Sequence, residues 1–230
     1  MKKLSFRELA VAGLIAALYT VVSVALMPIS FGVYQVRIAE ALTVLPMVTR
    51  AAIPGLYVGC LLANVFGGMG WLDIVFGPLI TLIAAVLTRL VSRLPNGSVA
   101  SLLAGLPVAL IWVCAVYFIA SASETWFVIV GAILVIAALV LTLTFSRLWS
   151  RGVNVNIFIA PLPPVLLNAF GVSLYLAPLL GFNYWFSVQM IGVGQLIACY
   201  LIGLPILITL QRRQLPFRGD TTLTSEIEQF

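Results

Sequence analysis

The chain is 230 residues long, 63% apolar and 8% charged, and it contains no histidine. Those proportions lie far outside the range of soluble domains and, with apolar runs of about 20 residues, describe a polytopic α-helical membrane protein. The formal net charge of +5 does not point to nucleic acid, because the basic residues stand singly at the ends of apolar runs, where they act as topology signals.

In chain order, the apolar runs predict eight spans, at 9–27, 38–49, 51–66, 71–91, 101–120, 125–146, 157–177 and 184–210. The first is too long for a signal-peptide core and no small-residue cleavage site follows it, so it is expected to remain as a span. It carries Ala12-Gly13-Leu14-Ile15-Ala16, a small-residue stripe continued by Ala10, Gly13 and Ala17. Such a stripe admits the close approach of another helix, either within this chain or from a partner subunit.

The second run is short for a bilayer. Fusing 38–66 into one helix would put Arg50 in hydrocarbon at a cost of roughly 3 kcal/mol. A break at Thr49-Arg50, with Pro54 in the first turn of the next helix, avoids that cost. The short segment then crosses only if it is packed within protein or the bilayer is locally thinned.

With a cytoplasmic N-terminus, every Lys and Arg except Arg37 falls on the cytoplasmic side, so both termini are expected there, in a plasma membrane. Arg37 needs a role that topology does not supply: pairing with Glu40 one helical turn on, contact with a ligand, or both.

The expected outer connections are 28–37, 67–70, 121–124 and 178–183. Glu40 opens the second span, Asn64 closes the third and Asp73 opens the fourth, while Asn168 and Gln195 lie deeper in the last two. An amide in lipid must face protein or a cavity. Phe31, Tyr34, Trp71, Tyr184 and Trp185 flank the same edge. They suit an interfacial aromatic belt, or, beside Gln35 and the carboxylates, a site for a flat hydrogen-bonding ligand.

Cys60, Cys114 and Cys199 stand singly, without the paired spacing of zinc or redox sites, and read as packing residues. The absence of histidine excludes imidazole-activated nucleophiles and the usual zinc sites. No Gly-x-x-x-x-Gly-Lys-Ser/Thr run is present, so an ATP-driven transporter would need its ATPase from another subunit. No cofactor is expected.

The runs Ile29-Ser30-Phe31-Gly32, Gln35-Val36-Arg37-Ile38 and Glu40-Ala41-Leu42-Thr43-Val44-Leu45-Pro46 resemble the QueT family, the queuosine-precursor substrate-binding (S) components of energy-coupling-factor transporters. The similarity continues through Ala51-Ala52-Ile53-Pro54-Gly55-Leu56, Gly59-Cys60-Leu61-Leu62-Ala63-Asn64 and Asp73-Ile74-Val75-Phe76-Gly77. It resumes at Ala160-Pro161-Leu162-Pro163-Pro164-Val165 with Asn168, and at Gly194, Cys199-Tyr200 and Gly203-Leu204-Pro205.

The resemblance implies an S-component-like helical bundle that captures a 7-deazaguanine from outside and docks on a transmembrane coupling protein with two cytoplasmic ATPases. For such a ligand the expected substrate contacts are Arg37, Glu40, Asn64, Asp73, Asn168, Gln195, Tyr34, Gln35 and Trp71, and the resemblance implies a coupling-protein contact at Ala12 and Ala16. Two departures stand out. The family is expected to have six spans, so 98–150 reads as an inserted pair; and Gln195 stands where the family pattern leads us to expect glutamate.

The expected organisation is therefore four spans in 1–97, the inserted pair in 98–150, the last two spans in 151–211 and a polar cytoplasmic tail in 212–230. The particular ligand stays open, among the aminomethyl and nitrile precursors, queuine, or another small heterocycle or vitamin. A membrane enzyme using Glu40 and Asp73 as acid and base, and an uncoupled secondary transporter, are the rival readings.

Overall fold

A reciprocal capping box starts helix α1 (Phe6–Ala25): the Ser5 side chain accepts from the Glu8 amide, and the Glu8 carboxylate accepts from the Ser5 amide at 2.8 Å. The computed structural model describes residues 4–31, 35–94, 105, 109, 111–113, 125–150 and 156–212. Tyr34, Cys114, the tail beyond 212 and most of the expected span 101–120 lie outside these residues.

After a short helical turn at Met27–Ser30, the chain returns through Ile38–Met47, ten residues wound as a 3₁₀ helix. This winding lengthens the short second run. A 3₁₀ rise of about 2.0 Å per residue, against about 1.5 Å for an α-helix, carries ten residues about 20 Å instead of about 15 Å. Arg89 holds the far end, its guanidinium donating to the carbonyls of Pro46 and Met47 at 3.2 and 3.3 Å. Those carbonyls lack onward helical partners, so a cation there serves as a cap.

Arg50 sits in the turn that follows, where it closes a two-pronged ion pair on Glu8 at 2.6 and 2.8 Å. The start of α1 and the end of the 3₁₀ segment thus share one end of the bundle, called proximal below. Helix α2 (Ala52–Gly67) rises from it parallel to α1. A Cβ on Gly55 would lie 2.7 Å from the Ala12 carbonyl oxygen, and one on Gly59 would lie 2.9 Å from Tyr19 Cβ, so glycine is required at both crossings. The Thr20 hydroxyl adds a bridge between the helices, donating to the carbonyls of Ala16 and Gly59.

At the distal end α2 stops at Gly68, whose φ of 66° is left-handed, and Gly70 at φ 101° leads into α3 (Trp71–Val91). Beyond the described stretch at 105–113 come α4 (Thr125–Ser150), α5 (Asn156–Leu180) and α6 (Tyr184–Gln211). Both α5 and α6 are interrupted by π-helical turns, at Asn168–Val172 and Ile197–Gly203. The second of these packs on the 3₁₀ segment, with Gly203 against the Ala41 carbonyl.

Among the described residues, α1, α3, α5 and α6 are long and apolar enough to cross a membrane, with shorter apolar helices at Ile38–Met47, Ala52–Gly67 and Gly131–Arg147. No strand occurs among them. Leu9, Leu14, Leu18 and Val21 on α1 and Val75, Leu79, Ile83 and Val86 on α3 are exposed, a burden of apolar surface that suits lipid and not water. The chain is a multi-pass helical membrane protein.

One core cluster lies toward the proximal end, where Val91, Phe158, Tyr200 and Leu204 meet Ala137, Ala138 and Leu141 of α4. The Tyr200 hydroxyl donates to the Phe158 carbonyl at 3.0 Å, satisfying the polar tip of a fully buried ring.

Candidate functional site

Charged side chains seldom survive burial in an apolar bundle without partners. Here Arg37, Glu40 and Asp73 are all buried, and they line one cavity together with Gln35, Gly77, Thr81, Asn168, Val172, Tyr175 and Gln195. Four elements contribute. The entry to the 3₁₀ segment brings Gln35, Arg37 and Glu40; α3 brings Asp73, Gly77 and Thr81; α5 brings Asn168 and Tyr175; α6 brings Gln195.

Both carboxylates are held by tyrosines. The Tyr19 hydroxyl donates to Glu40 Oε1 at 2.5 Å, and the Tyr175 hydroxyl donates to Asp73 Oδ1 at 2.7 Å. Each bond uses one oxygen. Glu40 Oε2 and Asp73 Oδ2 have no hydrogen-bond partner. The cation is arranged differently: Arg37 donates through one terminal nitrogen to Cys60 Sγ at 3.7 Å, stacks its guanidinium 4.6 Å above the centre of the Phe31 ring, and leaves Nε unpaired. The Arg37–Glu40 pairing, one of the roles the sequence allowed Arg37, is not formed.

Gln35 Nε2 and Asn168 Nδ2 are also buried without partners, the Asn168 amide beside the Glu40 carboxylate without closing a hydrogen bond to it. Five unpartnered polar atoms, two acceptors and three donors, thus belong to residues that line the cavity. A group left in this state costs on the order of 1–3 kcal/mol, so five on one cavity describe a surface prepared for something polar. Gln35 is also the one non-glycine among the described residues with a positive φ, 38°, a strained conformation of the kind that gathers at binding sites.

The enclosed free space is about 10 Å³, room for about one water. A ring-sized ligand enters only as the lining moves. On the lining, Arg37 is held by a cation–π contact with Phe31 and a long thiol contact, whereas the carboxylates are fixed by tyrosine hydroxyls. The Phe31 ring rests directly on Gly67, where a Cβ would collide with it.

Several expectations change. Asn64 is buried but does not line the cavity; its amide donates to the Asp73 carbonyl at 2.7 Å and so fixes the first turn of α3. Gly77 is what admits it, since a Cβ there would collide with Asn64 Nδ2. Trp71 is 69% exposed and points away from the site, because the first turn of α3 turns Asp73 inward and position 71 outward. Tyr34 falls outside the described residues.

Ala12 and Ala16 are buried against Gly55 and Gly59, so the stripe they form is used inside the chain and is not a free surface. Exposed on the other side of α1 are Ala10, Gly13 and Ala17.

Tyr19 and Tyr175, which hold the two carboxylates of the candidate site, were not among the residues the sequence singled out. The available signal was a phenol inside a membrane-length apolar run, since a buried tyrosine hydroxyl must find a partner. Cys60 and Cys199 hold their place as packing residues beside the polar core: Thr81 Oγ1 donates to Cys60 Sγ at 3.4 Å, and Cys199 Sγ lies 3.6 Å from Gln195 Oε1.

A multi-pass helical bundle that encloses one polar, charged, unsatisfied cavity among apolar helices has the layout of a membrane transport protein for a small molecule. The chain matches the family model described as QueT transporter over residues 9–137 and 114–212, and it belongs to that family. No curated protein and no solved structure matches it.

Proposed function

We propose that the chain is the substrate-capturing S component of an energy-coupling-factor importer, and that its cargo is a queuosine precursor of the 7-deazaguanine type. The observation that carries this reading is the unsatisfied inventory of the cavity: acceptors on Glu40 and Asp73, donors on Gln35, Arg37 and Asn168. A 7-deazaguanine presents the complement, with ring and exocyclic N–H donors for the two carboxylates and a carbonyl for the donors. Complementary pairing of buried groups is also what would discriminate against ligands lacking them.

The cavity lies in the distal half, which the positive-inside pattern assigns to the outer face of a plasma membrane. Displacement of Phe31 and Arg37 would open the site to that side, and their return over the ligand would close it. Release inside is then the work of a transmembrane coupling protein driven by two ATPase subunits. The α1 face carrying Ala10, Gly13 and Ala17 is the surface we assign to that coupling protein, one step round the helix from Ala12 and Ala16.

The test is native mass spectrometry and calorimetric titration of the purified chain with the aminomethyl and nitrile deazaguanines and queuine, against guanine and riboflavin. Selective binding of a deazaguanine is expected; folded protein that binds none of them overturns the assignment. In proteoliposomes, accumulation should require the ATPase module and ATP, and concentrative uptake by the chain alone would make it a secondary transporter instead.

A further inference from the structure

The distal start of α3 has little to hold it from within. Gly68 and Gly70, both at positive φ, join it to α2, and the helix begins without a side-chain cap. Pro78 offers no amide to the Ile74 carbonyl, so the same stretch also lacks one helical hydrogen bond. Asp73 lies in this stretch.

Two side chains from other helices fix it instead. The Tyr175 hydroxyl of α5 donates to Asp73 Oδ1 at 2.7 Å, and the Asn64 amide of α2 donates to the Asp73 carbonyl at 2.7 Å. One bond holds the carboxyl and the other holds the backbone that carries it, leaving Oδ2 as the unpartnered oxygen.

Asn64 is fully buried, and its own Oδ1 has no partner. A half-satisfied amide burdens a core that an apolar side chain would fill at lower cost, so packing does not account for it. The backbone of α3 makes room for this amide. A Cβ on Gly77, one turn after Asp73, would collide with Asn64 Nδ2, yet it would lie at ordinary contact distances of 3.4 and 3.5 Å from Asp73 Oδ1 and the Tyr175 hydroxyl. What the missing methyl group spares is the Asn64 bond.

We infer that Asn64 is a positioning residue for ligand binding, acting through Asp73 without touching the ligand, and that Gly77 is the residue that permits it. This deepens the proposed function and rests on it: Asn64 does not line the cavity, but it sets where Asp73 Oδ2 meets an N–H group of the 7-deazaguanine.

The experiment is a double-mutant cycle on the purified full-length chain, titrated by calorimetry with the aminomethyl and nitrile deazaguanines and queuine, with folding checked by circular dichroism. Asn64→Ala should weaken binding about 5- to 10-fold, the loss expected from one hydrogen bond. In an Asp73→Ala background the same substitution should change binding by less than about twofold, because the carboxyl it aims is gone. In a Glu40→Gln background it should cost the full amount. Where Asp73→Ala binds too weakly to titrate, Tyr175→Phe closes the cycle: its loss and that of Asn64→Ala should combine to less than their product, whereas Tyr19→Phe and Asn64→Ala should multiply. Gly77→Ala should weaken binding at least as much as Asn64→Ala, and adding Asn64→Ala to it should restore the Asn64→Ala level by removing the collision.

Parent-like binding by folded Asn64→Ala, an equal loss in the Asp73→Ala and Glu40→Gln backgrounds, or losses that multiply with Tyr175→Phe overturns the inference and leaves the proposed function standing. A Gly77→Ala loss that Asn64→Ala does not relieve overturns the part assigned to Gly77. Folded parent that binds none of the three ligands overturns both readings. Should Asn64→Ala not fold, Asn64→Leu, which keeps the bulk and lacks the donor, takes its place in the cycle.

Discussion

At the scale of single residues, the site is a set of carboxylates whose geometry is imposed by phenols. Removing the Tyr19 or Tyr175 hydroxyl by substitution with phenylalanine leaves a second carboxylate oxygen unsatisfied and frees the side chain to rotate. Loss of one such charge-assisted bond is worth about 1.5–3 kcal/mol, so each variant should bind ligand roughly 10- to 100-fold more weakly in calorimetry while remaining folded. Parent-like affinity in both would show that the tyrosines do not aim the carboxylates. Glu40, Asp73, Asn168, Gln195 and Arg37 were legible in the sequence because a polar group in an apolar run must be explained. Tyr19 and Tyr175 were not, since a tyrosine in a membrane protein is equally well explained by the interfacial belt, and the same ambiguity made exposed Trp71 look like a site residue.

At the scale of elements, the irregular helices carry the chemistry. The 3₁₀ segment presents Glu40, a π turn begins at Asn168, and another begins two residues after Gln195. Hydropathy finds where such segments lie but is blind to winding, because an i→i+3, i→i+4 or i→i+5 bond pattern leaves composition unchanged; π turns inside α-helices do recur at functional positions. The small-residue stripe was legible as a close helix crossing, but its partner was not, since α2 carries its own glycines at the matching rise. A clear split follows. Ala12→Leu or Ala16→Leu should lower the melting temperature by forcing α1 from α2, as overpacking costs about 1–3 kcal/mol. Ala17→Leu, on the exposed face, should leave melting and ligand binding near the parent values and reduce co-purification with the coupling module. Gly59→Ala should behave like the first pair and also weaken binding, because the new Cβ would press on Tyr19, which holds Glu40.

At the scale of the whole molecule, the two ends of the bundle are built differently. The proximal end holds the Glu8–Arg50 pair, the Arg89 cap and the cluster that includes α4, while the distal half holds a cavity of about 10 Å³ lined in part by Arg37, whose guanidinium lies over the Phe31 ring. The class of protein could be read from composition and the family from short motifs along the chain; of the eight expected spans, four stand as long apolar helices among the described residues. The cavity could not, because it is made by residues from segments as distant as Gln35 and Gln195, and only the fold brings them together. Ligand binding should therefore slow amide hydrogen exchange in 35–45 and in the first turns of α3, with little change at the proximal ends of α1 and α2, measured by mass spectrometry with and without deazaguanine.

The most direct test of the whole account is a structure of the chain with its 7-deazaguanine bound. Ligand density between Glu40 and Asp73, with N–H groups on Oε2 and Oδ2 and with Phe31 or Arg37 displaced to make room, is the predicted result. A ligand seated elsewhere in the bundle, with Glu40 and Asp73 still joined to Tyr19 and Tyr175 around an unchanged cavity, would contradict it.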